Sequence, residues 1–120
     1  MAVTGNDIER ILGEVPPDKC FICKDGCLHR TLGDLHNCLS HMDESTYSHH
    51  VTPIKNDFTN WVRDVLGDTE LADQMTAAGN SKEAARIVKH RLDWLLKARA
   101  RDKTPRGQGS QITWIGPTRS

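Results

Sequence analysis

Residues 52–68, "TPIKNDFTNWVRDVLGD", decide what kind of fold this chain has. Ile54, Phe58, Trp61, Val62 and Val65 recur at the three- and four-residue steps that gather side chains on one face of an α-helix. Thr52 carries the hydroxyl of an N-cap, and Pro53 suits a first helical position, where a missing N–H costs nothing. Gly67 stands where a helix can stop in a left-handed turn. The stretch therefore predicts an amphipathic helix that starts at Pro53 and ends before Gly67.

Similar signals extend outward. Asp68 predicts the cap of a short helix holding Leu71 and Ala72. Ser81 predicts the cap of the last one, "SKEAARIVKHRLDWLLKARA", with Ala84, Val88, Leu92 and Leu95 along one face. Upstream, Asp43 or Ser45 caps a brief helix through Tyr47 and His50. Thr31, with Asp34 in the first turn, caps a helix whose Leu32, Leu35 and Leu39 share a face. Asn6 opens a short helix with Ile8, Ile11 and Leu12, which Gly13 and the pair Pro16-Pro17 end. Ahead of Thr31, "CFICKDGC" (Cys20–Cys27) alternates around Lys24-Asp25-Gly26, the chemistry of a tight β-hairpin, with Leu28 and Arg30 on the return strand.

The expected fold is mainly α, a small domain of four to five helices with a short N-terminal β-hairpin and a flexible C-terminal tail. Its expected organisation is an N-terminal helix and linker over 1–19, a helical domain with the Cys-bearing hairpin over 20–101, and a basic flexible tail over 102–120. A chain of 120 residues with 37% hydrophobic content is one such domain, with a modest core that a metal or a partner would help to hold. No apolar run approaches the roughly 18–20 residues of a membrane span, so membrane insertion is not expected. "MAVTGNDIERIL" lacks the basic and apolar regions of a secretory signal. The expected location is the cytoplasm, where thiols are kept reduced. The net charge of zero conceals +5 from Lys97 onward, against −5 over residues 1–96. An acidic body argues against a nucleic-acid-binding fold.

Four cysteines invite chemistry: Cys20, Cys23, Cys27 and Cys38. Cys20-x2-Cys23 is how a zinc knuckle begins, with Cys27 and Cys38 as further ligands, or His29, His36 and His41 in their place. Zinc is the one cofactor suggested; otherwise none is. Against it, strand alternation puts Cys20 and Cys23 on opposite faces, and no second CxxC exists. An iron–sulfur cluster fits less well, since the spacing matches neither familiar ferredoxin pattern. A thiol pair that responds to oxidant is the alternative, with Lys19, Lys24 and Arg30 nearby to favour thiolate. The plain reading makes Cys23 and Cys38 small buried apolar residues.

Two further constellations stand out. His50, just ahead of the Asn56-Asp57 pair and Trp61, reads as a buried hydrogen-bonded clasp in preference to a metal ligand. In the tail, Ile112, Trp114 and Ile115 read as anchors for docking on a larger protein. Arg99, Arg101, Lys103 and Arg106 would speed the encounter. The opposing reading folds the tail back over the domain's own core. Enzyme signatures such as GxSxG, GxxxxGK[ST], HExxH and GxGxxG are missing, and a nucleophilic Cys27 or Cys23 is the minor enzymatic alternative.

Asp25-Gly26, Tyr47, His50-Val51, Asn56-Asp57-Phe58, Trp61, Gly67-Asp68 and Leu71-Ala72 together resemble the pattern of a family of small prokaryotic domains of unknown function. The resemblance covers roughly residues 20–100 and implies a compact helical domain with a small hairpin, and no reaction. The cysteines lie outside that pattern and are this chain's own addition. The expected function is that of a small cytosolic, non-enzymatic regulatory protein that docks on a larger protein complex, with a Cys/His cluster sensing redox state. The alternative is a metal-binding protein.

Overall fold

The computed structural model of the chain describes residues 4–103. These residues form a mainly helical domain with six α-helices and two short antiparallel hairpins. Helix α1 (Gly5–Leu12) begins two residues earlier than Asn6 would have it. Thr4 and Asp7 cap it reciprocally, each side chain accepting the other's backbone N–H at 3.1 Å. That box satisfies two free N–H groups at once, which a lone Asn6 cannot match.

Strands β1 (Phe21–Ile22) and β2 (Leu28–His29) pair with Phe21 opposite His29 and Ile22 opposite Leu28. Gly26, at φ +88°, closes the turn between them, with its N–H on the Cys23 carbonyl and the Asp25 carboxylate holding the Cys27 N–H. Helix α2 (Leu32–His41) is capped by Thr31 and buries Leu32, Leu35 and Leu39 completely. Helix α3 (Glu44–His50) is capped by Asp43.

The deciding stretch folds differently at its front. Val51–Thr52 (β3) pairs with Lys55–Asn56 (β4), and helix α4 starts only at Asp57. The Thr52 hydroxyl does cap backbone N–H groups, but those of Ile54 and Lys55, which turns Pro53-Ile54 into a tight connection. Asn56 is the true N-cap, accepting the Thr59 N–H at 3.0 Å. Ile54 consequently sits at the turn's tip, 95% exposed, instead of in the core. From Phe58 onward the expected periodicity holds, with Phe58, Trp61 and Val62 buried.

Helix α4 (Asp57–Trp61) continues into a π-helical turn over Val62–Leu66, which ends at Gly67 in the left-handed conformation, φ +81°. The Gly67 N–H reaches the Val62 carbonyl five residues back. Asp68 caps α5 (Thr69–Met75) and is itself buried, gripped by the Arg91 guanidinium through two bonds of 2.8 and 3.0 Å. Helix α6 (Ser81–Lys103) is the long element against which α1, α2 and α5 pack. Its cap is Asn80, whose carboxamide oxygen accepts the Glu83 N–H, in place of Ser81. Ser81 is turned inward to donate to the Glu44 carboxylate at 2.6 Å.

Helix α6 carries Arg99 and Arg101 on its last turns and reaches Lys103, beyond the 101/102 boundary expected for the tail. The proposed anchors Ile112, Trp114 and Ile115, with Arg106, lie outside the described residues. No helix among the described residues is long and apolar enough to cross a membrane.

Candidate functional site: the sulfur face of the first hairpin

Strand alternation sorts the hairpin's side chains into two sets. Phe21, Cys23, Cys27 and His29 point inward, while Ile22 and Leu28 point out to solvent. The Cys23 N–H bonds the Cys27 carbonyl at 2.9 Å and extends the two-residue ladder toward the turn. Cys23 and Cys27 therefore face each other, with His29 and Phe21 as the next rank. The Phe21 ring stacks on His29 and on Phe58, with centroids 5.3 Å apart in each case.

Beneath this face lies α2, which contributes Cys38 from the same buried stripe as Leu35 and Leu39. Cys27 and Cys38 lie at disulfide distance, with Cα atoms 6.2 Å apart and a sequence separation of 11. The donor atoms of Cys27, His29 and Cys38 all fall within 4.8 Å of one another, close enough to hold a metal ion. Cys23 is not in that group, although its Sγ lies 3.3 Å from His29 Nε2.

The ligand set expected from the sequence is thereby revised. Cys20 stands apart, its thiol directed at the Pro16 carbonyl at 3.6 Å, because it precedes the strand pair and does not share the inward face. His36 and His41 are not in the converging group and make local contacts, with Ser40 and with the Asn37 carbonyl. His29, one of three alternative histidines by sequence, is the one the fold selects. Its spacing from Cys27 was the available signal: two residues along a strand is one face.

Burial governs the electrostatics of this face. It pushes the Cys23 thiol up to about 12, with the Asp25 charge adding to the effect. It pulls His29 down to about 4, outweighing Asp34 and Asp25, so the ring is neutral near pH 7. Lys19, Lys24 and Arg30 do not make a thiolate of Cys23, since lost solvation dominates. The His29 Nδ1 is enclosed without a hydrogen-bond partner.

The second constellation docks the same hairpin from the other side. His50 Nε2 accepts the Lys24 backbone N–H at 3.0 Å, so the ring's proton sits on Nδ1, which donates to Asp57 Oδ2 at 3.0 Å. Burial works against the Asp57 carboxylate, yet hydrogen bonds from Lys55 and His50 overcome it and hold the group below its usual range. Trp61 Nε1 donates to the Lys19 carbonyl at 2.8 Å. Asn56 caps the helix that carries both Asp57 and Trp61. The hairpin is thus held twice, by the clasp to α3 and α4 and by Cys27–Cys38 to α2. No family model matches the chain, and neither a curated protein nor a solved structure matches it.

Proposed function

We propose that this is a small non-enzymatic protein that docks on a larger protein, and that the redox state of Cys27 and Cys38 sets the hairpin it docks with. The observation that carries this reading is the Cys27–Cys38 pair at disulfide distance across the boundary between β2 and α2. In a reducing cytoplasm such a pair closes only when oxidant rises, which makes it a sensor rather than a permanent staple. The outer face of the same two strands presents Ile22 and Leu28, 67% and 40% exposed, as a paired apolar surface. The tail, with Trp114 between Ile112 and Ile115, and the basic residues before it complete the docking element in this proposal.

The enzymatic alternative draws on the 3.3 Å approach of Cys23 to His29, a nucleophile–base spacing. Both side chains are closed off, at 3% and 0% exposure, and a thiol with its pKa near 12 is a poor nucleophile at neutral pH. The metal-binding alternative has a specific observation in its favour: three donor atoms within 4.8 Å, in a set that suits zinc.

Intact-mass measurement of the purified chain tests the redox reading. Oxidant should remove two hydrogens reversibly, a Cys27→Ser/Cys38→Ser variant should not respond, and partner capture should differ between the two states of the parent only. Parent protein whose mass and capture are the same in both conditions would defeat the reading.

A further inference from the structure

His29 is fully enclosed, and its two ring nitrogens have different surroundings. Nε2 lies 3.3 Å from Cys23 Sγ, while Nδ1 has no hydrogen-bond partner. Buried polar atoms are ordinarily satisfied, so an orphaned ring nitrogen beside thiols points to a missing ligand. One ring nitrogen of His29 and the sulfurs of Cys27 and Cys38 lie within 4.8 Å of one another. No fourth His, Cys, Asp or Glu among the described residues joins them. With Nε2 engaged by Cys23, Nδ1 is the nitrogen left to serve as a ligand. Zn–S and Zn–N bonds of about 2.3 and 2.0 Å set the ligands of one tetrahedral zinc about 3.5–3.8 Å apart. Once the disulfide opens, small side-chain shifts bring the three donors to that spacing.

Charge supports the same set of three. Two thiolates and a neutral imidazole make Zn2+ a neutral centre, whereas a third thiolate would leave a net negative charge in an enclosed site. Cys23 has a different place in it. Metal-bound histidines almost always donate their other ring N–H to an outer partner, and Cys23 Sγ stands at that position beside Nε2. Three protein ligands leave zinc one open position, as in sites that keep a water or take an exchangeable ligand. His29 and Cys38 are closed off from solvent and Cys27 is only half-buried, so the open side is that of Cys27.

We propose that, once Cys27–Cys38 is reduced, Cys27, Cys38 and His29 Nδ1 bind one Zn2+, with its fourth position left to water or another small ligand and Cys23 holding the His29 ring from outside. The inference rests on the redox reading above and adds the ligand that the reduced state takes. A cellular dithiol supplies two electrons and two protons to the disulfide and leaves as its own cyclic disulfide. Zinc then displaces two protons, one from each of Cys27 and Cys38. His29 Nδ1 donates a lone pair, and the ring's Nε2–H donates to Cys23 Sγ. In the reverse direction, hydrogen peroxide takes two electrons from the Cys27 and Cys38 thiolates. It consumes two protons, yields two waters and one disulfide, and Zn2+ leaves. Opening the disulfide therefore does not release the hairpin from α2 when zinc is present.

The experiment uses the full chain, stripped of metal and handled anaerobically, with Zn2+ titrated against a chromophoric chelator and Co2+ as a spectroscopic substitute. Reduced protein should take one equivalent of zinc, and oxidised protein none, a comparison that needs no substitution. Cys38→Ser and His29→Gln should weaken binding by about tenfold or more, while Cys20→Ser binds like the parent. Cobalt should give the visible bands of a tetrahedral site, which added mercaptoethanol shifts by entering the open position. Thiolate charge-transfer intensity should fall by about half in Cys38→Ser and stay at the parent level in Cys23→Ala. Cys23→Ala should weaken zinc by about tenfold, and Cys23→Ser, which keeps an acceptor for Nε2–H, should restore it. Reduced protein that holds no zinc, zinc held equally by the oxidised chain, or charge-transfer intensity lost in Cys23→Ala overturns the proposal. If Cys27–Cys38 still opens and closes with dithiol and peroxide while no zinc binds, the metal site alone is wrong and the redox reading stands. Zinc bound by a chain whose Cys27 and Cys38 never cross-link overturns both the redox reading and the exchange proposed here.

Discussion

His29 and Cys23 show how one small environment settles two protonation states in the same sense. Both side chains lose water, so each is pushed toward its neutral form. For His29 this has a consequence for stability. Its pKa in the folded protein, about 4, lies below the unfolded value of about 6.5, so the unfolded chain binds more protons between those limits. Stability from this group is complete above the unfolded pKa and is lost as the pH falls through that window. The loss should amount to about 3 kcal/mol at the acid end, for oxidised, metal-free protein. Urea unfolding at pH 7 and near pH 4 should show it, and His29→Gln should flatten the dependence. A parent protein as stable at pH 4 as at pH 7 would place His29 in water, against the structure. Much of this was hidden in the sequence, since nearby Lys and Arg residues suggest activated thiols while only the fold reveals how little solvent reaches them.

At the scale of elements, the informative residues are the caps. Thr31, Asp43, Asp68 and Gly67 act where their chemistry places them, because each has one set of free backbone groups within reach. Thr52 had two options, and the sequence alone does not choose between them. Its hydroxyl with Pro53 can open a helix or close a two-residue turn, since the fixed φ of proline suits both. Asn56 decides the matter by offering a better-placed cap three residues ahead of Thr59. The same competition removes Ser81, whose hydroxyl finds Glu44, and leaves the helix start to Asn80. A pair of substitutions separates the two readings of the deciding stretch. Ile54→Ser should change stability by no more than about 0.5 kcal/mol, as for an exposed turn residue. Trp61→Ala should cost about 3–5 kcal/mol, as for a buried aromatic, and would also free the Lys19 carbonyl. A large loss at Ile54 would restore the longer helix. In the clasp, His50→Ala strands the Lys24 N–H and leaves Asp57 Oδ2 with Lys55 alone, and should cost about 1–3 kcal/mol in chemical denaturation. Melting indistinguishable from the parent would remove His50 from that role.

Over the whole molecule, the first hairpin is the part whose attachment is adjustable, while the helical body has fixed ties. Asp68 caps α5 and binds Arg91 of α6 in the same buried place, so those helices cannot separate without stranding a charge. The hairpin instead depends on the clasp, on the Phe21–Phe58 stack and on Cys27–Cys38. A cross-link with a sequence separation of 11 restricts the unfolded chain enough to contribute about 3 kcal/mol, so reduction without zinc should lower stability by about that amount. The mainly helical class was legible because Leu32, Leu35, Leu39, Phe58, Val88 and Leu95 repeat at helical steps and are all fully buried. The pairing of Cys27 with Cys38 was not, since sulfur connectivity depends on how a strand face meets a helix face and no local pattern encodes that. Peptide mapping after alkylation tests this central claim most directly. After mild oxidant, the account predicts one cross-link, joining the fragments that contain Cys27 and Cys38, with Cys20 and Cys23 alkylated and the bond reversed by dithiol. A Cys20–Cys23 cross-link, or four thiols equally alkylated before and after oxidant, would contradict it.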